Sequence, residues 1–169
     1  MARMKTDQST ILDRVVARLI DQVAALNAKT CVVTAQPPDE PPAQLRENLF
    51  CSVSPADGRF DQELLEGGGQ NTLVEHSGVV VVLWSAMKLD RTGVNISLLT
   101  DAARGLFDLK RRVLKALTNH DLANGNGDQI LQEPMRPILS EAPRATEQHQ
   151  SGVGDLAITF LVDFEWDLS

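Results

Sequence analysis

The sequence predicts an α+β domain with a mostly antiparallel sheet of about four strands and two long helices packed on one face. The chain closes on "GDLAITFLVDFEWDLS", in which apolar and polar residues alternate as in a half-buried strand. Two other segments repeat apolar residues at helical spacing, and a run of valines is typical of a buried strand. With 169 residues, 43% of them hydrophobic, the chain is long enough for one core, so residues 1–169 are predicted to form a single domain.

The first helix is predicted from about Thr10 to Asn27. Apolar residues follow Thr10 at helical spacing, and Asp13 stands where a capping-box acid reaches back to the helix start. The segment after it, residues 35–44, contains four of the eight prolines. Because proline interrupts both helices and central strands, this Pro-rich segment is predicted to be a linker or an exposed crossing.

Two strands and a glycine-rich connection are predicted next. The first strand covers residues 48–55 and ends on Pro55 and the turn "ADGR". The second runs from Thr72 to Ser85 as a central strand, and Gly78 is predicted to mark a bulge. Residues 61–71 between them are predicted to form a mobile acidic arm, because their three glycines lack the Lys and Ser or Thr of a phosphate-binding loop.

The last third of the chain predicts a helix and two strands. The helix runs from Ser97 or Thr100 to about Thr118. Residues 129–139 follow as an edge strand, since two prolines exclude them from a central position. After a polar loop at 140–154 comes the terminal strand. Its apolar face holds Ile158, Phe160, Val162, Phe164 and Trp166.

Composition excludes several classes of function. A net charge of -7 and a pI near 4.9 argue against a protein that neutralises phosphates, so no specific nucleic-acid binding is predicted. No apolar run approaches the roughly 20 residues of a membrane span, and the first residues do not resemble a signal peptide. A cytosolic protein is expected, in which Cys31 and Cys51 are buried free thiols because reducing compartments disfavour disulfides.

No catalytic motif, metal-binding pattern or cofactor-binding pattern is found in the sequence, and the predicted role is not enzymatic. The chain has three histidines and no tyrosine, which leaves few general bases and stacking groups. An enzyme remains an alternative, and it would require that Glu75, His76, His120 or Asp121 converge in one pocket. Glu75 and His76 themselves are neighbours in a strand and therefore point to opposite faces.

The order of elements resembles the small tail-terminator and tail-completion (minor tail, neck) proteins of long-tailed bacteriophages and prophages. Five segments carry the resemblance: "STILDRVVARLIDQVAAL", the pair "LFCSVSP" and "VVVVLWS", "LLTDAARGLFDLKRRVLKAL", and "ITFLVDFEWDL". The resemblance implies a structural protein that forms a six-fold homo-oligomeric ring, caps the tail tube and meets the head connector. It also implies a cytoplasmic location before assembly and the virion tail afterwards. A neck or head–tail joining role is a related possibility, and a small cytosolic protein-binding module without catalysis is the alternative.

A ring needs two different complementary patches on each subunit, and we predict charged residues for these patches and the lumen. The arm contributes Asp61, Glu63 and Glu66. On the polar face of the terminal strand, Asp163, Glu165 and Asp167 form an acidic row. The row is predicted either to line the lumen, where it repels phosphates, or to meet basic residues of a neighbouring subunit, namely Arg91, Arg104 or Arg112.

Overall fold

The computed structural model gives bounds for two helices and six strands. It describes residues 7–40, 49–61, 72–88, 100–102, 105–123, 127, 129–148 and 151–167. The helices are α1 (Gln8–Gln22) and α2 (Leu106–Leu117), and the strands are β1 (Cys31–Val33), β2 (Leu49–Phe60), β3 (Thr72–Lys88), β4 (Glu133–Ser140), β5 (Arg144–Gln148) and β6 (Ser151–Asp167). The strands form one sheet in the order β1-β2-β3-β6-β4, and β5 also pairs with β6.

The predicted sheet of about four mostly antiparallel strands with two long helices is wrong. The described sheet has six strands and is mixed, because β1 and β2 run parallel. β1 has only three residues, which is too short for alternation to show in the sequence. β5 lies in the segment predicted as a polar loop, where it pairs with the start of β6. The helices are also shorter than predicted, with 15 and 12 residues.

The α1 helix ends, and the α2 helix begins, inside the span that the sequence predicts for it. The α1 helix stops at Gln22 because Val23 turns to an extended conformation. Val23 and Leu26 remain buried in the turn that follows, so apolar residues continue where the helix does not. Gly105 is extended at the N-terminus of α2, so the continuous helix predicted from Ser97 or Thr100 is not formed. At the start of α1, Asp7 is the capping residue and accepts the Thr10 N–H at 2.7 Å.

One face of the sheet packs against both helices. Apolar side chains of α1 and α2 share a single buried cluster with alternate residues of β2, β3 and β6. Phe160 and Phe164 of β6 are fully buried there, and Trp166 packs against the cluster at its rim. The apolar face predicted for the terminal strand is therefore the face that the helices cover.

The two long strands β3 and β6 form the centre of the sheet. They pair without interruption from Thr72 opposite Asp167 to Lys88 opposite Ser151. On its other side β3 pairs with β2, as predicted for a central strand. β2 continues through the predicted turn to Phe60, with an irregularity in register between Ala56 and Arg59.

Gly78 has a different role from the predicted bulge. It pairs regularly with Leu161, and the irregularity lies in β2 opposite. A Cβ atom at residue 78 would lie 2.8 Å from the Cβ of Ala56. The glycine therefore permits a close approach between the side chains of β2 and the backbone of β3.

The other face of the sheet carries no described helix. A second, smaller cluster lies at one end of it, with Phe50 and Trp84 as its largest members. The Pro-rich segment is described only as far as residue 40. On the helix-free face Arg144 is paired with Asp155, and this hydrogen bond is the main cause that raises the pKa of Arg144. The predicted arm lies outside the described residues except for Asp61.

Candidate assembly surface

The helix-free face contains a cavity of about 630 Å³. It opens between the irregular end of β2, the middle of β3 and β6, and the edge strand β4. Its lining is Ala56, Asp57, Gly58, Arg59, His76, Ser77, Gly78, Glu133, Arg136, Ile138, Thr159, Leu161 and Asp163. Charged groups of both signs therefore surround a floor that is partly apolar.

The strand register brings His76 and Asp163 together in this cavity. They are direct partners of the antiparallel pair β3–β6, and His76 Nδ1 lies 2.8 Å from Asp163 Oδ1. Asp163 is only 7% exposed. Arg136 Nη2 lies 3.9 Å from Asp163 Oδ2 and 3.0 Å from Glu133 Oε2. The carboxylate of Asp163 is thus held by a histidine and faces a guanidinium group, which compensates for its burial.

The predicted acidic row does not form a uniform solvated surface. Asp163 is buried against His76, whereas Glu165 is half-buried and accepts a hydrogen bond from Gln132 Nε2 at 2.8 Å. Asp167 ends β6, and its side chain lies outside the described part of the structure. The two members of the row whose side chains are described, Asp163 and Glu165, therefore both have partners within their own subunit.

The other predicted assembly residues are placed only in part. Asp61 directly follows β2, and its N–H donates to the carbonyl of Val74 at 3.1 Å. Glu63, Glu66, Arg91 and Arg104 lie outside the described residues. Arg112 is on α2, where its Nε lies 2.6 Å from Asp108 Oδ2. The assembly roles of all these residues stay predictions.

An exposed apolar pair adjoins the cavity. Ile138 and Leu139 of β4 are 59% and 56% exposed, and β4 lies at the end of the strand order. Arg59 lies across the cavity on β2, exposed and without an ion pair to another described residue. We define the edge surface as Arg59, Arg136, Ile138 and Leu139. No local pattern predicts this surface, because the pairing of strands distant in the chain decides which residues line the cavity.

The residues considered for catalysis do not converge. Glu75 is on the helix-covered face, where its carboxylate accepts a hydrogen bond from Trp166 Nε1 at 2.6 Å. His76 points to the opposite face, as expected for a neighbour in a strand. His120 and Asp121 follow α2 and accept backbone N–H groups of the turn there. Among the described residues, no group of three or more histidine, cysteine or acidic side chains is placed to hold a metal ion.

Comparison with known proteins shows similarity to solved structures and to no protein family. No family model matches the chain, and no curated protein matches it. Among solved structures, a chain of the "Virion of native gene transfer agent (GTA) particle" is similar, with 18% sequence identity and a TM-score of 0.42. The alignment covers 87% of this chain and 92% of that one. A likeness at this TM-score carries no argument about function, and the tail-terminator family predicted from the sequence is not shown by any of these matches.

Within the described part of the chain, no helix is long and apolar enough to cross a membrane.

Proposed function

We propose that the protein is a structural component of a phage-like virion and acts by assembling with copies of itself and with other virion proteins. The finer proposal is a tail-terminator or tail-completion role, in which a six-fold ring caps the tail tube and joins it to the head connector. The role needs neither catalysis nor a cofactor. The observation that supports it best is the edge surface, where two apolar side chains more than half exposed lie beside a cavity.

The edge surface has the properties of one half of a heterologous contact. Exposed Ile138 and Leu139 give it apolar area, and the guanidinium group of Arg59 gives it positive charge, whereas Arg136 is already paired with Glu133. An unpaired edge strand with apolar side chains favours pairing with another chain. A closed ring requires that such a patch meets a different patch on the next subunit.

The predicted arm has a sequence that matches this surface. Residues 63–66 read "ELLE", two leucines flanked by two glutamates. The leucines suit the apolar side chains of the edge surface, and the glutamates suit the guanidinium group of Arg59. We therefore propose that the arm of one subunit binds the edge surface of the next. Repeating this contact around a ring uses both patches of every subunit.

The charge of the chain fits a ring that surrounds DNA. A subunit with a net charge of -7 repels phosphates, so DNA passing through the lumen is not held. The proposal does not require Asp163 in the lumen, because that carboxylate is occupied by His76.

Light scattering on the purified chain over a range of concentrations tests this function. We expect a concentration-dependent oligomer for the wild type and loss of that oligomer in Ile138→Asp. The matched control is Phe107→Asp, because Phe107 is 48% exposed but lies on α2, away from the edge surface. Equal effects of both variants would contradict the role of the edge surface. A monomer at every concentration would favour the alternative, a protein-binding module that does not form rings.

A further inference from the structure

The two cysteines are brought together by the parallel strand pair that the sequence did not predict. Cys31 of β1 is the direct partner of Cys51 of β2. Both side chains point into the cluster beneath the helices, with exposures of 1% and 0%, and both thiols are free. Their positions, twenty residues apart in the chain, give no indication of this contact.

The two thiols face the same buried cluster from adjacent strands. A hydrogen bond with Cys31 is the main cause that raises the pKa of the Cys51 thiol, and burial is the second. Neighbouring strands lie about 4.7–4.9 Å apart, and disulfides join Cα atoms that are roughly 4.4–6.8 Å apart. Adjacent partners on one face of a sheet therefore satisfy the separation that a disulfide needs.

We propose that Cys31 and Cys51 are a latent disulfide pair, which an external low-molecular-weight disulfide oxidises to a bond within one subunit. The thiolate of one cysteine attacks the reagent disulfide and releases one small thiol, leaving a mixed disulfide on the protein. The second cysteine then attacks that mixed disulfide and releases the other small thiol. Two cysteine thiols are oxidised, one reagent disulfide is reduced to two thiols, and the two cysteine protons end on the released thiols.

The fold controls access to this reaction. In the closed state both thiols are buried, and the raised pKa of Cys51 favours its unreactive protonated form. Reaction requires that β1 separates from β2. β1 is a three-residue strand at the sheet edge, flanked by hydrogen bonds from Cys51 N–H to the Thr30 carbonyl and from Thr34 N–H to the Val53 carbonyl. A strand this short opens more readily than the 12-residue β2 beside it.

The bond would fix the Pro-rich crossing at both ends. Cys31 precedes the Pro-rich segment and Cys51 follows it, so the disulfide closes a loop that contains the whole crossing. Closing such a loop restricts the unfolded chain and stabilises the fold. This inference rests on the fold alone and is independent of the proposed virion role.

Oxidation of the full chain with glutathione disulfide tests the proposal. After denaturation and alkylation, mass spectrometry should show loss of two hydrogen atoms and of both titratable thiols together, with no crosslink between subunits. The melting temperature should rise, and dithiothreitol should reverse the rise. Cys31→Ser and Cys51→Ser are matched controls, each of which should retain one thiol or carry one glutathione and show no such rise.

Two outcomes would overturn the proposal. In the first, the folded wild type keeps both thiols under conditions that oxidise the same chain in urea. In the second, oxidation of the folded chain gives glutathione adducts or intersubunit crosslinks instead of the internal bond.

Discussion

Reversing the charge of Asp163 should destabilise the fold, whereas the same change at Glu165 should not. Asp163 is buried and bound to His76, so removing the acceptor costs about 1–3 kcal/mol. A lysine would also place a cation near Arg136, whose Nη2 lies 3.9 Å from the carboxylate. Repulsion between unit charges about 4 Å apart reaches about 4 kcal/mol at an effective dielectric constant near 20. The Arg136 side chain is 54% exposed and can turn towards water, so we expect a total of about 2–5 kcal/mol.

Urea unfolding at neutral pH measures this difference. Asp163→Lys should lower the free energy of unfolding by the amount above, and Asp163→Asn should lie between it and the wild type because its shape is retained. Glu165→Lys is the matched control, two residues along the same face of β6, and should change stability by about 1 kcal/mol or less. If the two lysine variants are equally stable, the placement of Asp163 in a buried pair is refuted.

Three further predictions test the core, the loop after α2 and the close strand contact. Phe160→Ala should lower the free energy of unfolding in urea by about 3–5 kcal/mol, because Phe160 is 0% exposed. Phe107→Ala should cost far less, because Phe107 is exposed, and equal losses would contradict the packing. Burial lowers the pKa of His120 below 6.5, so the unfolded chain takes up a proton at a higher pH than the folded chain does, and the free energy of unfolding should fall as the pH drops below about 6.5. His120→Asn should reduce this dependence on pH, and an unchanged dependence would contradict the role of His120. Gly78→Ala should lower the free energy of unfolding by about 1–3 kcal/mol, because its new methyl group would press on Ala56. Adding Ala56→Gly should restore most of this loss, and a double variant whose loss is the sum of the two single losses would argue against the contact.

Elements with strong local patterns were predictable from the sequence. The alternation from Ile158 to Trp166 predicts β6 and its buried face, and the valine run predicts the central position of β3. The two prolines of β4 predict an edge strand, and β4 lies at the edge. In each case the information lies within a few neighbouring residues, which is the range over which periodicity and proline act.

Features that depend on distant pairing were not predictable. The parallel partner β1 is too short to show a pattern, so the class of the sheet was wrong. Asp163 lies in an alternating strand and was predicted to line a lumen or meet a neighbouring subunit, because its burial depends on His76, which is 87 residues away in the chain. Val23 and Leu26 continue the apolar spacing of α1 beyond its end, because they are buried although they are not helical. The helix was therefore predicted to be longer than it is. The edge surface was not predictable either, because the pairing of strands distant in the chain makes it and no local motif marks it.

Native mass spectrometry of the purified chain tests the proposed function most directly, because it counts the subunits in each assembly. The account predicts closed rings of six copies at high concentration, and their loss in Ile138→Asp but not in Phe107→Asp. A series that stops at two copies would show a contact between identical patches and would contradict a ring built from two different ones. A species that stays monomeric at every concentration would contradict self-assembly of the purified chain.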